Sequence, residues 1–240
     1  MTSNLWNGSW SGRMPAGDPH RRSREVISPS GGIMRSKFPS RKNGRLVHCE
    51  GMLELDAAHL FELHPRITAY REQPAVFMYP DGSRVRRYTP DFEVRLASGK
   101  KIKIEIKPEA SMLDPGVRHK LAMVDAHMRR LGEAFVVLTD GELRREPRQA
   151  NIRSICRKAS RVPPSHVAAV LAVARAAVML PAPLSEATSL FPAGGGGVYS
   201  LLQLGLLRCE LNAPLDADTQ IHLTPEDDDG WFRLSQEHDF

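Results

Sequence analysis

The alternation of polar and apolar positions is sharpest between residues 92 and 107. Charged residues and isoleucines alternate throughout Lys101–Lys107, and Phe92–Leu96 alternates in the same way. A period of two is typical of a half-buried β-strand, because successive side chains point to opposite faces of the sheet. The glycine-containing segment 97–100 favours a short connection, so the two stretches are predicted to form a β-hairpin.

Helical spacing appears on both sides of this hairpin. Apolar residues recur on one side of a helix in residues 50–63 and again in residues 114–130, and residues 133–139 form an apolar run of the kind found in buried strands. Strands and helices in this order predict a mixed α/β core.

Two carboxylates and a lysine are predicted to meet at one end of the hairpin. Asp91 precedes the first strand, while Glu105 and Lys107 share one face at the end of the second. Carboxylate oxygens are the ligands that Mg²⁺ prefers, and an ammonium group can orient water or neutralise charge in a phosphoryl transition state. The pattern therefore indicates a metal-dependent phosphodiester nuclease. The alternative is an amphipathic surface hairpin.

Other side chains are candidates to complete such a site. Glu54 lies beside the apolar stripe of the first helix and is predicted to be a further metal ligand, with Glu50 and Glu62 as less favoured competitors. The alternative for Glu54 is a solvated helix charge. Gln73 precedes a proline and is a candidate to position water or phosphate, although a buried structural amide explains it equally well.

Five motifs, taken in order, resemble the TnsA-type transposon endonucleases. They are KFPSRKNGR at 37–45, LELD at 53–56, YREQP at 70–74, YTPDF at 88–92 and EIKP at 105–108. The resemblance covers roughly residues 37–139 and implies a restriction-endonuclease-like PD-(D/E)xK core within the α/β class. It implies that Glu54, Asp91 and Glu105 bind Mg²⁺, with Mn²⁺ as a substitute, and that Lys107 is the catalytic lysine.

The resemblance also implies a reaction and its partners. In this family the endonuclease cuts the 5′ strands at the transposon ends, a DDE-type transposase cuts and joins the 3′ ends, and an AAA+ ATPase regulates the process. We therefore expect a DNA endonuclease of cut-and-paste transposition that binds double-stranded DNA at transposon ends. Two alternatives stay open: a non-catalytic scaffold that binds DNA and partner proteins, and a stand-alone restriction or repair nuclease.

Positive charge is concentrated near the N-terminus. The 240 residues carry 33 Lys and Arg against 28 Asp and Glu, and residues 1–48 hold nine of the basic residues but only two acidic ones. Residues 1–36 are therefore predicted to be a basic arm, flexible when free, that binds DNA phosphates or a partner protein. The candidate DNA-binding residues are Arg35, Lys37, Arg41, Lys42, Arg45 and Lys103.

The chain is predicted to consist of the arm at 1–36, an endonuclease domain at 37–145, a small domain at 146–224 and a tail at 225–240. In the small domain, helical patterns precede two short strand patterns, 208–211 and 219–223, which suggests a winged helix. Its last helix carries no basic residue, which favours protein docking at least as strongly as base recognition. In the tail, Trp231 and Phe232 are predicted to anchor a protein partner.

Two other classes of protein are disfavoured. No stretch of about 18 apolar residues is present to span a membrane, and the N-terminal region lacks the apolar core of a signal peptide. The three cysteines are widely spaced, which indicates neither a disulfide framework nor a zinc site. A cytoplasmic, nucleoid-associated protein is the expectation.

Overall fold

The computed structural model describes residues 36–160, 180–191, 197–225, 234–235 and 237–238. Most of the N-terminal arm with Arg35, residues 161–179 of the predicted small domain, and the tail residues Trp231 and Phe232 lie outside these residues. Up to residue 139 the elements are β1 (Ser36–Ser40), β2 (Arg45–Cys49), α1 (Met52–Leu63), β3 (Ile67–Glu72), β4 (Phe77–Asp81), β5 (Arg84–Tyr88), β6 (Phe92–Leu96), β7 (Lys101–Lys107), a 3₁₀-helix (Glu109–Leu113), α2 (Pro115–Arg130) and β8 (Ala134–Thr139).

A four-stranded sheet of order β3-β6-β7-β8 forms the centre of this part of the chain. β6 pairs antiparallel with β3 and with β7, and β8 lies parallel to β7. Because parallel neighbours need a crossover connection, α2 runs between β7 and β8. The β6–β7 hairpin and the mixed α/β class predicted from the sequence are confirmed.

Local signals define α2. The Asp114 carboxylate caps its N-terminus by accepting the Gly116 N–H at 2.7 Å, and Pro115 follows at the first helical position. Beyond the helix, Gly132 has φ +71°, a backbone conformation that glycine adopts without strain. The predicted helix at 114–130 is therefore found with almost the same limits.

Both faces of the central sheet are covered, which corrects the prediction of a half-buried β7. On one face, apolar residues of α1 such as Phe61 pack against Phe92. On the other face, the β4–β5 hairpin and α2 form a second apolar cluster around Tyr88. As a result, Lys103 and Glu105 on the polar face of β7 are only 4% and 3% exposed. The strand pattern did not reveal this cover, because it comes from distant segments.

The C-terminal residues add helices and a small sheet. The elements are α3 (Asp140–Leu143), α4 (Arg148–Lys158), β9 (Ala182–Pro183), α5 (Leu184–Leu190), α6 (Gly197–Gln203), β10 (Leu207–Arg208) and β11 (Gln220–Leu223). β10 pairs with β11, as expected for the predicted wing, but β9 joins the other edge of β11 and was not predicted. α6 ends at Gln203, shortly before Gly205 at φ +73°, a backbone conformation that glycine adopts without strain.

The core of the described chain continues across the predicted domain boundary. α4 packs against α1 and α6, and Ile152 and Leu201 belong to the same buried cluster as Phe61. Most side chains of α6 are buried, so this helix is used for packing within the chain. The boundary at residue 145 and the winged-helix assignment stay predictions. None of the described helices is long and apolar enough to cross a membrane.

Candidate active site

Asp91, Glu105 and Lys107 come together where β6 begins and β7 ends. The Lys107 ammonium nitrogen lies 2.6 Å from Glu105 Oε1 and 3.9 Å from Asp91 Oδ2. The backbone N–H of Ile106 donates to Asp91 Oδ2 at 2.7 Å. The hairpin register thus produces the proximity predicted from the sequence, while the catalytic roles of the three residues stay a prediction.

The second oxygen of Glu105 is held by a tyrosine. The Tyr88 hydroxyl donates to Glu105 Oε2 at 2.5 Å, and both side chains are buried. The Tyr88 ring packs edge-on against Phe135, with 6.0 Å between ring centroids. Packing of the ring in the apolar cluster therefore fixes the position of the hydroxyl group. A role for Tyr88 was not predicted from the sequence. Its position at the end of a strand, shortly before Asp91, was the available signal.

The electrostatics of the cluster follow from burial and crowding. Burial, reinforced by the carboxylate of Glu105, raises the pKa of Asp91 to about 8. Burial acts to lower the pKa of Lys107, but Asp91 and Glu105 outweigh it and raise that pKa above its ordinary value. The lysine is therefore charged, and the carboxylates gain from a further positive charge beside them.

Glu54 lies in the first turn of α1, and one of its carboxylate oxygens accepts a hydrogen bond at the start of that helix. Its Oε2 accepts the Glu50 N–H at 2.7 Å at the start of α1, where Gly51 offers no capping side chain. Burial raises the pKa of Glu54 to about 7, and the charges of Lys107 and Glu105 also act on it. Glu54 therefore lies in the same electrostatic environment as the hairpin residues.

Gln73 lies next to this group in a strained backbone conformation. Its φ is +44°, which is unusual for a residue with a side chain. Its N–H donates to the Asp91 carbonyl at 2.8 Å, and its Nε2 donates to Glu50 Oε1. Gln73 Oε1 is buried without a hydrogen-bond partner among the described residues. These contacts place Gln73 beside the cluster, and its support of the active site stays a prediction.

The acidic side chains fit a hard divalent cation in chemistry and charge. Oxygen donors suit Mg²⁺, and a cation would relieve the repulsion that raises the Asp91 pKa. In the described part of the chain, however, no group of three or more His, Cys, Asp or Glu residues is arranged to hold a metal ion. The oxygens of Glu105 instead face Lys107 and Tyr88.

Arg41 and Lys42, predicted to contact DNA, are engaged inside the protein. The Arg41 guanidinium donates to Gln203 Oε1 and to the Ala159 carbonyl, linking the β1–β2 turn to α6 and to the end of α4. Lys42 donates to two main-chain carbonyl groups at the end of α1, at 2.9 and 2.5 Å. Burial lowers the pKa of Lys42 to about 8. These two residues therefore have structural contacts within the chain, and their contact with DNA stays a prediction.

Arg45 and Lys103 are also used in internal ion pairs. Arg45 binds the buried carboxylate of Glu72 through two nitrogens, at 3.1 and 2.8 Å. The Lys103 ammonium lies 2.7 Å from Glu93 and 2.9 Å from Glu133. The sequence did not show these acidic partners, and the phosphate contacts predicted for Arg45 and Lys103 stay predictions. Of the six candidates, Lys37 is exposed in β1.

Glu62, the less favoured alternative to Glu54, has a structural environment. Its buried carboxylate accepts hydrogen bonds from the Ser40 and Tyr70 hydroxyls, both at 2.8 Å. It also accepts the backbone N–H groups of Arg41 and Lys42, at 2.8 and 3.1 Å. Glu62 therefore fastens the β1–β2 turn to α1, away from the Lys107 cluster.

Comparison with known families adds an independent finding. Residues 64–140 match the family model described as the TnsA-like endonuclease N-terminal domain. The resemblance to TnsA-like endonucleases is confirmed. The TnsA-like region includes Asp91, Glu105 and Lys107, whereas Glu54 precedes it. No curated protein matches the chain.

Proposed function

We propose that this protein is a metal-dependent DNA endonuclease that cuts the 5′ strands at transposon ends during cut-and-paste transposition. The TnsA-like match supports a transposition-related nuclease that works on DNA. The observation that carries the proposal is the Asp91–Glu105–Lys107 cluster, in which the buried carboxylate of Glu105 and the half-buried carboxylate of Asp91 flank one ammonium group. The sheet that positions them, flanked by α1 and α2, supports a PD-(D/E)xK core.

Each residue has a role in the proposed reaction. Asp91 and Glu105, joined by Glu54, would hold Mg²⁺ or Mn²⁺. When bound, such a cation lowers the pKa of water and neutralises charge on the phosphate. Lys107 stays protonated because of its acidic neighbours, so it can donate a hydrogen bond to the attacking water or to a phosphate oxygen. Tyr88 and the Ile106 N–H orient the two hairpin carboxylates.

Partner proteins would determine where the proposed active site cuts the DNA. A DDE-type transposase would process the 3′ ends, and an AAA+ ATPase would regulate the assembly. The internal use of Arg41, Lys42, Arg45 and Lys103 leaves few of the predicted basic residues to choose a DNA site. We therefore propose that the position of the cut depends on partner proteins.

Metal dependence tests the proposal directly. The purified chain, mixed with the transposase of the same element and a duplex carrying that element's ends, should cut the 5′ strands in Mg²⁺. EDTA should abolish the cut, Mn²⁺ should restore it, and strand-specific end labels should report its position. Cutting in EDTA would contradict the proposal, and the absence of 5′ cutting in either metal would favour the scaffold. Cutting of unrelated DNA by the chain alone would favour a stand-alone nuclease.

Tyr88→Phe should weaken cleavage about 10- to 100-fold, the usual cost of losing a group that orients a metal ligand. The change removes the donor to Glu105 Oε2 and keeps the buried ring. The Mg²⁺ concentration for half-maximal rate should rise, which a packing defect would not cause. Tyr79→Phe is the matched control, since Tyr79 is a buried neighbour with 6.4 Å between ring centroids. Equal rates and metal profiles in the two variants would contradict the role given to Tyr88.

A further inference from the structure

The β4–β5 hairpin carries a concentration of positive charge outside the cluster described above. Arg84, Arg86 and Arg87 in β5 are all exposed, and Asp81 is the hairpin's only acidic residue. Arg86 forms an ion pair with Asp81. Neither Arg84 nor Arg87 has an ion-pair partner among the described residues. Two guanidinium groups are therefore available to an external anion.

The two faces of this hairpin differ sharply. Tyr79 and Tyr88 point into the apolar cluster against α2 and the central sheet. On the other face, Arg87 lies opposite Met78 in the register, and the side chains of Met78 and Val85 are 54% and 68% exposed. The inner face thus fixes the hairpin to the domain, while the outer face presents Arg87 and two separate apolar side chains to solvent. Arg84, opposite Asp81 at the turn end of β5, is exposed on the other side of the strand, because successive side chains of a strand point to opposite faces.

The first half of α2 adds basic side chains beside the hairpin. His119 Nε2 lies 2.8 Å from Asp81 Oδ1, and Lys120 Nζ lies 5.3 Å from the Tyr88 ring centroid. Arg86 and His119 both engage the one acidic group, so its negative charge is compensated locally. The surface around the hairpin is consequently cationic.

The hairpin is connected directly to the proposed active site. Tyr88, the last residue of β5, donates to Glu105, and Asp91 follows shortly after in the chain. A strand of five residues extends about 17 Å, which corresponds to roughly half a turn of B-DNA. An extended polyanion bound along β5 would therefore run next to the Asp91–Glu105–Lys107 cluster.

We propose that the β4–β5 hairpin binds the phosphate backbone of duplex DNA along β5 beside the cut, with Arg84 at its turn end and Arg87 on its outer face as the principal contacts. The position beside the cut depends on the proposed nuclease function. Planar guanidinium groups form paired hydrogen bonds with phosphate oxygens, and a two-stranded ribbon can lie along a DNA groove. A protein partner is less favoured, because Met78 and Val85 form no broad apolar surface between the charges.

DNA affinity measured without cleavage tests this assignment. Fluorescence anisotropy in Ca²⁺ would follow the full chain binding a labelled 30-base-pair duplex of arbitrary sequence, over a series of salt concentrations. Arg84→Ala/Arg87→Ala should weaken binding about tenfold or more near 100 mM salt. It should also reduce the slope of log K against log salt by about 2, since each lost phosphate contact removes about 0.9. Arg84→Lys/Arg87→Lys should retain most of the salt slope.

The matched control removes two other exposed positive charges. Arg95→Ala/Lys101→Ala alters a facing pair at the other end of the β6–β7 hairpin, away from Asp91. Its affinity should stay within about twofold of the unmodified chain, and circular dichroism should show that both double variants fold. Equal affinity and slope in the two double variants would overturn the proposal, as would the absence of duplex binding by the unmodified chain. The proposal would also be overturned if Arg84→Ala/Arg87→Ala lost binding to a partner protein while its DNA affinity stayed unchanged.

The DNA-binding measurement and the metal-dependent cleavage assay test the two proposals separately. Binding through the hairpin without any metal-dependent cutting would support this surface and contradict the nuclease proposal. Cutting that persists with unchanged affinity in Arg84→Ala/Arg87→Ala would support the nuclease proposal and overturn the hairpin assignment.

Discussion

Replacing Asp91 with asparagine should lower the rate of metal-dependent strand cleavage by about 10³-fold or more. The substitution removes one negative oxygen from the proposed metal site and keeps an acceptor for the Ile106 N–H. The neutral amide also ends the repulsion with Glu105 that contributes to the raised Asp91 pKa. The melting temperature at neutral pH should therefore be maintained or increased. Single-turnover cleavage of end-labelled DNA and thermal unfolding would measure the two effects.

The control for this variant is Asp125→Asn, which changes an acid on the surface of α2. Asp125 pairs with Arg129 one turn along the helix, at 2.9 Å, an interaction of little energetic weight. Its cleavage rate should match that of the unmodified chain. If Asp91→Asn cut DNA at that rate too, Asp91 would not be part of the catalytic group, and the assignment of the whole cluster would be lost.

Replacing Glu62 with alanine should reduce the free energy of unfolding by about 3–5 kcal/mol. The variant leaves four donors without their acceptor: the Ser40 and Tyr70 hydroxyls and the N–H groups of Arg41 and Lys42. An unpaired buried polar group costs about 1–3 kcal/mol, although neighbouring losses do not add in full. Urea denaturation followed by circular dichroism would measure the change.

Two further variants serve as controls for the stability of Glu62→Ala. Glu62→Gln keeps one carbonyl acceptor in nearly the same shape and should recover part of the lost stability. Glu186→Ala removes an exposed acid at the start of α5 and should change stability by less than about 0.5 kcal/mol. A loss for Glu62→Ala no larger than that of Glu186→Ala would show that the buried network contributes little to the fold.

The two acids illustrate a distinction that the sequence cannot make. Both Glu54 and Glu62 lie in α1, and both were candidates for the metal site. In the structure, the charges of Lys107 and Glu105 act on the pKa of Glu54, whereas Glu62 binds the β1–β2 turn. Helical spacing places residues on faces of a helix. It does not say which segments pack against those faces.

The predictions made from the sequence succeeded where the interactions are local. The period of two in β7, the glycine-containing turn and the capping Asp114 each act within a few residues, and the β6–β7 hairpin and α2 were found as expected. The proximity of Asp91 to Lys107 followed from the same hairpin, since its register places the start of one strand beside the end of the other.

Contacts between distant parts of the chain were not predicted. Arg41 reaches Gln203, and Arg45 reaches Glu72, so basic residues that suggested DNA contact have roles in the fold. The β4–β5 hairpin, which was not predicted, covers the polar face of β7 and supplies Tyr88 to Glu105. Charge and periodicity describe each segment by itself and contain no information about these long-range contacts.

By itself, the sequence determined the mixed α/β class, the β6–β7 hairpin and the identity of the acids and lysine at its end. Those features depend on side-chain alternation and turn chemistry, which operate between near neighbours. Only the tertiary structure decided which charges are buried, which acid belongs to the fold, and which arginines of the β4–β5 hairpin have no ion-pair partner among the described residues. Burial and ion pairing depend on contacts between segments far apart in the chain, and those contacts form only when the core assembles.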